Sequence, residues 1–205
     1  MLKPLLDAVM QRRARQLVDA VRVFLPLEGP LLDLGSGTGH VSALLEQQRG
    51  VDVIAADVSD IHVTGRRPVI IADGALPFES QSFSAALLLF MLAYPADPVA
   101  VLREAARVTR GPIIIVQTLS SGRIGRAWHR AREFTWTVAA FHVSKVVGYV
   151  PRDARFSMNT RRFYSAHALQ RDVMRAGLRV RSQRERAVLP GRALVVVAWM
   201  LEPND

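Results

Sequence analysis

The chain of 205 residues contains no cysteine, so neither a disulfide framework nor a thiolate metal site can form. It also has no uncharged apolar run of the length that a membrane-spanning helix requires. No secretion signal is expected, because Asp7 and the pair Arg12 and Arg13 interrupt the first apolar residues. With half of the residues apolar, these absences favour one domain with a sizeable core, and the cytoplasm is its default location.

Lysine is nearly absent as well, since Lys3 and Lys145 are the only two among the 27 basic residues. The net charge of +9 is unevenly distributed, because residues 119–165 hold nine basic side chains against two acidic ones. The same segment contains eight of the fourteen aromatic residues. We call residues 119–165 the insert, because its basic and aromatic composition separates it from the rest of the chain.

Two nucleotide-binding patterns are missing from the glycine-rich stretch LLDLGSGTGHVSALL (31–45). A dinucleotide fingerprint would need its third glycine where His40 stands, and a P-loop would end in Gly-Lys-Ser or Gly-Lys-Thr. Instead, an apolar strand reaches Asp33 and is followed by Gly35, Gly37 and Gly39 and by the start of a helix. Glycine allows the backbone to approach a ligand closely. The acid favours a ligand with an ammonium group or hydroxyls, such as S-adenosylmethionine (SAM).

Two further apolar runs end in an acid and extend this pattern. VDVIAAD (51–57) ends at Asp57, eighteen residues beyond Gly39, which is the spacing of a β-α-β unit. PVIIADG (68–74) repeats the pattern with Asp73. Alternating strands and helices predict a doubly wound α/β sheet, and the three acids are expected at one crevice beyond the carboxyl ends of its strands.

This series of motifs resembles the class I SAM-dependent methyltransferases, and within them the small-molecule branch called methyltransferase type 11. The resemblance covers residues 30–118, a little under half of the chain. LPFESQSF (76–83) is similar to the LPF…FD pattern of that family, and LLLFMLAYPADP (87–98) to its vLhH…dP pattern. The resemblance implies a Rossmann-like, seven-stranded sheet with an antiparallel last strand.

The resemblance also implies which residues bind SAM. The first glycine motif would contact the methionine part, Asp57 would hold the ribose hydroxyls, and Asp73 would lie near the adenine amino group. The full implied set is Asp33, Gly35, Ser36, Gly37, Gly39, Asp57, Val58, Asp73, Gly74, Ala75, Leu76 and Phe90.

Two positions depart from the family pattern. The family usually has Asp after the phenylalanine, but Phe83 is followed by Ser84, and Tyr94 stands where the family has histidine. Neither change touches the SAM motifs, but both concern the reaction. A SAM-binding module without catalysis is therefore an alternative to an enzyme.

We expect one methyltransferase domain with four parts. These are an N-terminal helical region (1–28), a SAM-binding core (29–118), the insert (119–165), and a closing helix with a β-hairpin (166–205). The dipeptide Pro190-Gly191 fits the hairpin turn, which resembles the closing hairpin of the family.

Three explanations of the insert remain open. Its aromatic residues can fill the core of the domain under a lid helix with solvated arginines. They can instead lie on an anionic membrane surface, where Trp, Phe and Arg suit the headgroup layer, as in a protein held at the inner membrane surface. A third reading is nucleic-acid binding, although the chain lacks the Asp/Asn-Pro-Pro-Tyr/Phe motif of enzymes that methylate base amino groups.

Candidates for a general base are few. Methyl transfer mainly needs alignment, but an oxygen or carbon nucleophile usually also needs a base. Tyr94 follows the fourth strand, and His129 and His142 lie in the insert, although each of the three is more often structural than catalytic. No His, Asp and Glu group has metal-ligand spacing, so no metal is expected.

The sequence thus predicts an enzyme that moves a methyl group from SAM to a small, hydrophobic or amphipathic acceptor and leaves S-adenosylhomocysteine. A lipid, a quinone precursor or a secondary metabolite would fit. An RNA methyltransferase is the alternative enzyme. The sequence indicates neither the acceptor atom nor the oligomeric state.

Overall fold

The computed structural model describes residues 2–72, 75–134, 140–151, 160–188 and 194–204. The hairpin turn predicted at Pro190-Gly191 lies outside these ranges. The described residues form helices and strands in the order α1 (Leu2–Val21), β1 (Leu31–Leu34), α2 (His40–Arg49), β2 (Val53–Asp57), β3 (Val69–Ile70), β4 (Ala85–Leu89), α3 (Pro98–Val108), β5 (Ile113–Ser120), α4 (Gly122–Glu133), α5 (Ala140–Val146), α6 (Ala166–Arg175), β6 (Leu178–Ala187) and β7 (Leu194–Pro203).

The seven strands form one sheet in the order β3-β2-β1-β4-β5-β7-β6. The pairs from β3 to β5 are parallel, whereas β7 is antiparallel to both β5 and β6. The strand order reverses direction between β1 and β4, and ligands of open α/β sheets bind beyond the strand ends at such a point. The predicted doubly wound sheet with an antiparallel last strand is confirmed.

Strands β1 and β5 are buried along their whole length, which is why they read as continuous apolar runs. On one face the sheet packs against α1 and α2 through Val18, Val21 and Leu45. On the other face it packs against α3 and α6, with Leu102 and Leu169 in the core. Helices on both faces leave the edge formed by the strand ends open for a site.

Strand β3 is shorter than the predicted run 68–74. Only Val69 and Ile70 pair, and they lie opposite Ala56 and Asp57 at the end of β2. As the edge strand of the sheet, β3 has a neighbour on one side only. Asp57, at the carboxyl end of β2, therefore lies one strand away from the edge strand of the sheet.

Helices α2 and α3 begin differently. The Asp97 side chain caps α3 by accepting hydrogen bonds from the backbone N–H groups of Val99 and Ala100, and Pro98 occupies the first turn. Helix α2 begins after its N-cap residue Gly39, which has no side chain and so makes no cap hydrogen bond to the first N–H groups of the helix. No helix within the described ranges is both long and apolar enough to cross a membrane.

Candidate active site

A cavity of about 1340 Å³ lies beyond the carboxyl ends of β1, β2, β4 and β5. Helix α1, residues of the insert and residues of β6 and β7 form its other walls. Pockets for one small ligand usually measure about 300–1,000 Å³. The cavity therefore has room for a cofactor and a second small molecule together.

The glycine loop after β1 forms the floor of this cavity. Gly35 has φ +76°, and a Cβ built on it would lie 2.7 Å from Cβ of Met91, so no larger residue fits. Gly37 has φ +58° with open space around it, and its N–H donates to Oδ2 of Asp57 at 2.8 Å. The loop thus exposes backbone to the cavity and is tied to the next strand.

His62 supports the glycine loop from behind. Its Nδ1 lies 2.7 Å from the carbonyl oxygen of Arg66, and its Nε2 lies 2.8 Å from Oγ of Ser36. A carbonyl can only accept, so Nδ1 donates to it, and Nε2 shares the second hydrogen bond with the Ser36 hydroxyl. A Cβ on Gly39 would lie 2.7 Å from Nδ1, which explains the third glycine.

Two buried carboxylates face the cavity from the ends of β1 and β2. Asp33 is 1% exposed and accepts a hydrogen bond from the Ser42 hydroxyl at 2.6 Å, while burial raises its pKa to about 6. Asp57 is 4% exposed, and burial raises its pKa too, against the opposing effect of the Gly37 and Ser59 N–H groups. Neither carboxylate has an ion-pair partner among the described residues. Buried acids without a cation are rare unless a ligand supplies the partner.

The segment after β3 is fixed by an ion pair of α3. The Leu76 N–H donates to Glu104, and Arg107 donates to the carbonyl oxygens of Leu76 and Phe78. Arg107 also bonds Glu104, and this bond holds the pKa of the Glu104 carboxyl below its usual range. Leu76 is thereby kept in the cavity wall.

Phe90 follows β4 in a strained conformation. Its φ of +60° is unusual for a residue with a side chain, and its N–H donates to the Val116 carbonyl at 2.7 Å. The Arg13 guanidinium lies over its ring, 5.2 Å from the centroid. Such strain is common where a ligand site fixes the backbone. Arg13 brings α1 against the loop that follows β4.

A cluster of Asp7, His40 and Tyr149 joins α1 and the insert to the glycine loop. Asp7 Oδ1 lies 3.1 Å from His40 Nε2 and accepts from the Tyr149 hydroxyl at 3.1 Å. His40 Nδ1 lies 2.9 Å from Oγ1 of Thr38. The His40 hydrogen bond lowers the pKa of Asp7, and burial raises the pKa of Tyr149 above its ordinary value. The cluster connects residues far apart in the sequence at one wall of the cavity.

Two of the three candidate bases line the cavity. Tyr94 lies in the loop after β4, and His129 is buried on α4 with its ring edge against Phe163, 4.9 Å between centroids. His142 is exposed on α5 and is not among the cavity residues. Strand β5 adds Gln117 to the cavity lining. The side-chain amide oxygen Oε1 of Gln117 is buried without a hydrogen-bond partner in the described part of the chain. Within the described ranges, no group of three or more His, Asp or Glu side chains could hold a metal ion.

The predicted SAM-binding residues fall into three groups. Eight line the cavity: Asp33, Gly35, Ser36, Gly37, Asp57, Val58, Leu76 and Phe90. Gly39 and Ala75 lie outside its lining, the former at the start of α2. Asp73 and Gly74 lie outside the described residues.

Other residues near the site belong to no sequence motif. Asp7 and Tyr149 are 142 positions apart, so no local pattern could have paired them. Glu104 and Arg107 read as an ordinary helical ion pair. A signal did exist on β5, because the run IIIVQTLS begins with four apolar residues and then contains the polar residues Gln117, Thr118 and Ser120. Buried polar residues at a strand end are typical of a ligand site.

The residues present fit an adenosine-bearing ligand. Asp57 offers a carboxylate at the end of β2, the position from which an acid accepts hydrogen bonds from ribose hydroxyls. Val58, Ile71 and Leu76 supply apolar surface beside it. Gly37 keeps open space above the loop.

Comparisons with known proteins agree with this geometry. A family profile described as a methyltransferase domain matches residues 7–183. An uncharacterized protein of Mycobacterium tuberculosis is 35% identical over 82 residues, 38% of this chain. The chain covers 28% of the length of that relative.

Two solved structures illustrate the likeness in fold. Geranyl diphosphate C-methyltransferase from Streptomyces coelicolor has a TM-score of 0.61 at 12% identity, over 96% of this chain and 80% of that one. Its structure contains S-adenosylhomocysteine. A SAM-dependent methyltransferase from Methanosarcina mazei has a TM-score of 0.58 at 13% identity, over 90% and 96% of the two chains. Together with the family profile, which spans most of the sequence, the sheet order and the glycine loop lead to one conclusion: the chain belongs to the methyltransferase-domain family of class I SAM-dependent methyltransferases.

Proposed function

We propose that the protein transfers a methyl group from SAM to a small, hydrophobic or amphipathic acceptor and releases S-adenosylhomocysteine. The observation that carries the proposal is the pair of buried carboxylates, Asp33 and Asp57, which face a large cavity without an ion-pair partner in the described chain. Bound SAM would supply an activated methyl group on a sulfonium. The protein then has to align an acceptor with that group.

Each carboxylate has a proposed role. Asp57 accepts hydrogen bonds from the two ribose hydroxyls, and its orientation is fixed by the Gly37 N–H. Asp33 stabilises the positive charge of the methionine ammonium group. Its Oδ2 atom accepts a hydrogen bond from the Ser42 hydroxyl. Val58 and Leu76 flank the adenine.

The acceptor would occupy the part of the cavity bounded by α1 and the insert. Leu6, Val9 and Phe141 give this part apolar surface, and Tyr94 and His129 are its candidate bases. A relative in fold is named for methylation of geranyl diphosphate, which also has an apolar chain and a polar end. We therefore propose an acceptor with both characters.

Replacement of Asp57 tests the cofactor assignment. Calorimetric titration with SAM should show that Asp57→Ala binds about a hundredfold more weakly, since two hydrogen bonds to a charged group are lost. Asp52→Ala is the matched control, because Asp52 lies before β2 at its opposite end and bonds Arg66 on the surface. The control should bind SAM like the wild type. Equal affinity of all three proteins would refute the assignment of Asp57.

The reaction itself is tested with methyl-labelled SAM. The protein is incubated with a lipid and small-molecule extract or with total RNA, and the label is followed in each fraction. Label in the small-molecule fraction supports the proposal, and His129→Ala or Tyr94→Phe should reduce it. Label in RNA alone would favour an RNA methyltransferase. SAM binding with no labelled product would indicate a binding module.

A further inference from the structure

Helix α4 turns its apolar side chains away from the protein. Ile124 and Trp128 are 79% and 54% exposed, and Phe134, the C-cap residue that continues the helical backbone, is 66% exposed. Among the side chains of α4 that the structure describes, the buried residues are Gly125 and His129, neither of which is a large apolar residue. A surface helix of a globular domain normally does the reverse and packs its apolar stripe on the core.

The exposed residues form one continuous stripe. At about 100° per residue, Ile124, Ala127, Trp128, Ala131 and Phe134 lie within an arc of about 120°. All five are exposed. We call this stripe the α4 face. Its extent is that of the apolar side of an amphipathic helix, which suggests a ligand outside the chain.

Arginines border the α4 face on one side. By the same helical geometry Arg123, Arg126 and Arg130 lie next to the stripe, and α4 contains four arginines against one glutamate. The Arg130 guanidinium also lies over the Phe163 ring, 5.6 Å from its centroid, and this contact holds the Arg130 side chain beside the stripe. An apolar stripe with a basic border is complementary to a surface that is apolar inside and negative outside.

Two other helices that line the cavity, α1 and α5, also expose apolar residues. Helix α5 exposes Val143 and Val146 beside Lys145, and the start of α1 exposes Leu2 and Leu5. Helices α1 and α4 also line the cavity. The α4 face is thus the outer side of a helix whose inner side borders the site.

We propose that the α4 face binds the surface of a bilayer that contains anionic lipids. Trp128 and Phe134 would lie at the level of the headgroups, Ile124 would enter the acyl boundary, and the arginines would contact lipid phosphates. RNA would bind the same arginines and stack on the aromatic rings, but it has no apolar surface that could bury the highly exposed Ile124 side chain. This proposal goes beyond the methyl-transfer function and does not depend on the acceptor.

Vesicle sedimentation tests the proposal with the full chain. The wild type should sediment with phosphatidylglycerol vesicles at low salt and stay in the supernatant with phosphatidylcholine vesicles. Ile124→Ser with Trp128→Ser should lower the partition coefficient at least about tenfold. Arg123→Gln with Arg126→Gln should lower it about fivefold for each arginine.

The matched control lies on α6, which contributes nothing to the cavity lining. Met174 is 63% exposed and Arg171 is exposed too, so Met174→Ser with Arg171→Gln repeats the chemistry at another surface. The control should sediment like the wild type. An equal loss in control and α4 variants would show that the loss does not depend on the α4 face and would overturn the proposal.

Two further outcomes would also overturn it. The wild type could remain in the supernatant with anionic vesicles, or it could bind a purified transfer RNA through Trp128 in preference to the vesicles. SAM titration of the same preparations separates this test from the proposed function. Intact SAM binding without vesicle binding would refute only the membrane proposal, and vesicle binding without SAM binding would refute only the cofactor assignment.

Discussion

Replacement of Asp33 by Asn should stabilise the protein in the absence of SAM. Asp33 is 1% exposed, and its pKa is raised from 3.8 to about 6, chiefly because burial penalises the charged carboxylate. Asn has nearly the same shape, and its side-chain oxygen can still accept the Ser42 hydrogen bond. The substitution therefore removes a buried charge and preserves its contact.

The magnitude follows from the two pKa values. Each tenfold change in the acid dissociation constant corresponds to 1.36 kcal/mol, so a pKa that rises from 3.8 to about 6 on folding costs the folded state about 3 kcal/mol at pH 8. Between pH 4 and pH 6 the folded protein binds more protons at Asp33 than the unfolded chain does. The contribution of Asp33 to stability therefore falls as pH rises through this window.

Urea unfolding at pH 4 and at pH 8 measures this effect. The Asp33→Asn protein should match the wild type near pH 4 and exceed its free energy of unfolding by about 3 kcal/mol at pH 8. Ser42→Ala should act in the opposite direction at pH 8, because the hydroxyl that stabilises the carboxylate is lost. An Asn variant that gains no stability at pH 8, or gains the same amount at both pH values, would refute the reasoning.

SAM binding should move in the opposite direction from stability. If Asp33 stabilises the ammonium of SAM, Asp33→Asn should bind SAM at least about tenfold more weakly at pH 8. Wild-type affinity should also rise with pH between 5 and 7 as Asp33 ionises, and the variant should lack this rise. Retained affinity with a normal pH profile would show that Asp33 has no role in SAM binding.

Two more changes test the glycine loop and the wall of the cavity. Gly35→Ala should lower the free energy of unfolding by about 3 kcal/mol, because the new Cβ would lie 2.7 Å from Cβ of Met91. Gly37→Ala should lower it by only about 1 kcal/mol, because its φ of +58° is the only obstacle to a side chain there. Equal losses for the two variants in urea unfolding would contradict this contrast. Tyr149→Phe should cost about 1 kcal/mol and raise the pKa of Asp7, followed by NMR, because one donor to that carboxylate is lost. An unchanged Asp7 titration would show that the hydrogen bond does not form in solution.

The sheet, and the motif residues that line the cavity at its strand ends, could be predicted because their signals are local. An apolar run that ends in Asp33 or Asp57 marks a buried parallel strand and its carboxyl end at once. The glycines report a backbone requirement, which the positive φ values of Gly35 and Gly37 bear out. The short β3 was less predictable, since the extent of an edge strand depends on its single neighbour.

The rest of the site depends on contacts between distant segments. The bond from Tyr149 to Asp7 joins the insert to α1 across 142 positions. The spacing of His129 and His142 also gave no reason to prefer one of them, yet one is buried at the cavity and the other is exposed. Helical periodicity defines faces, but only tertiary packing decides which of them turns inward.

Helix α4 shows why the direction of a face matters for function. Adjacent residues on a helix point about 100° apart, so Trp128 meets solvent while His129 is buried against Phe163. Arg132 donates to the Thr118 hydroxyl at the end of β5 and thereby fixes the inner side of the helix to the sheet. The helix is thus held by polar contacts and by His129, and its large apolar side chains add little to the core. Because exposed apolar surface of this extent is costly in water, its presence on a helix beside the cavity favours a ligand outside the chain.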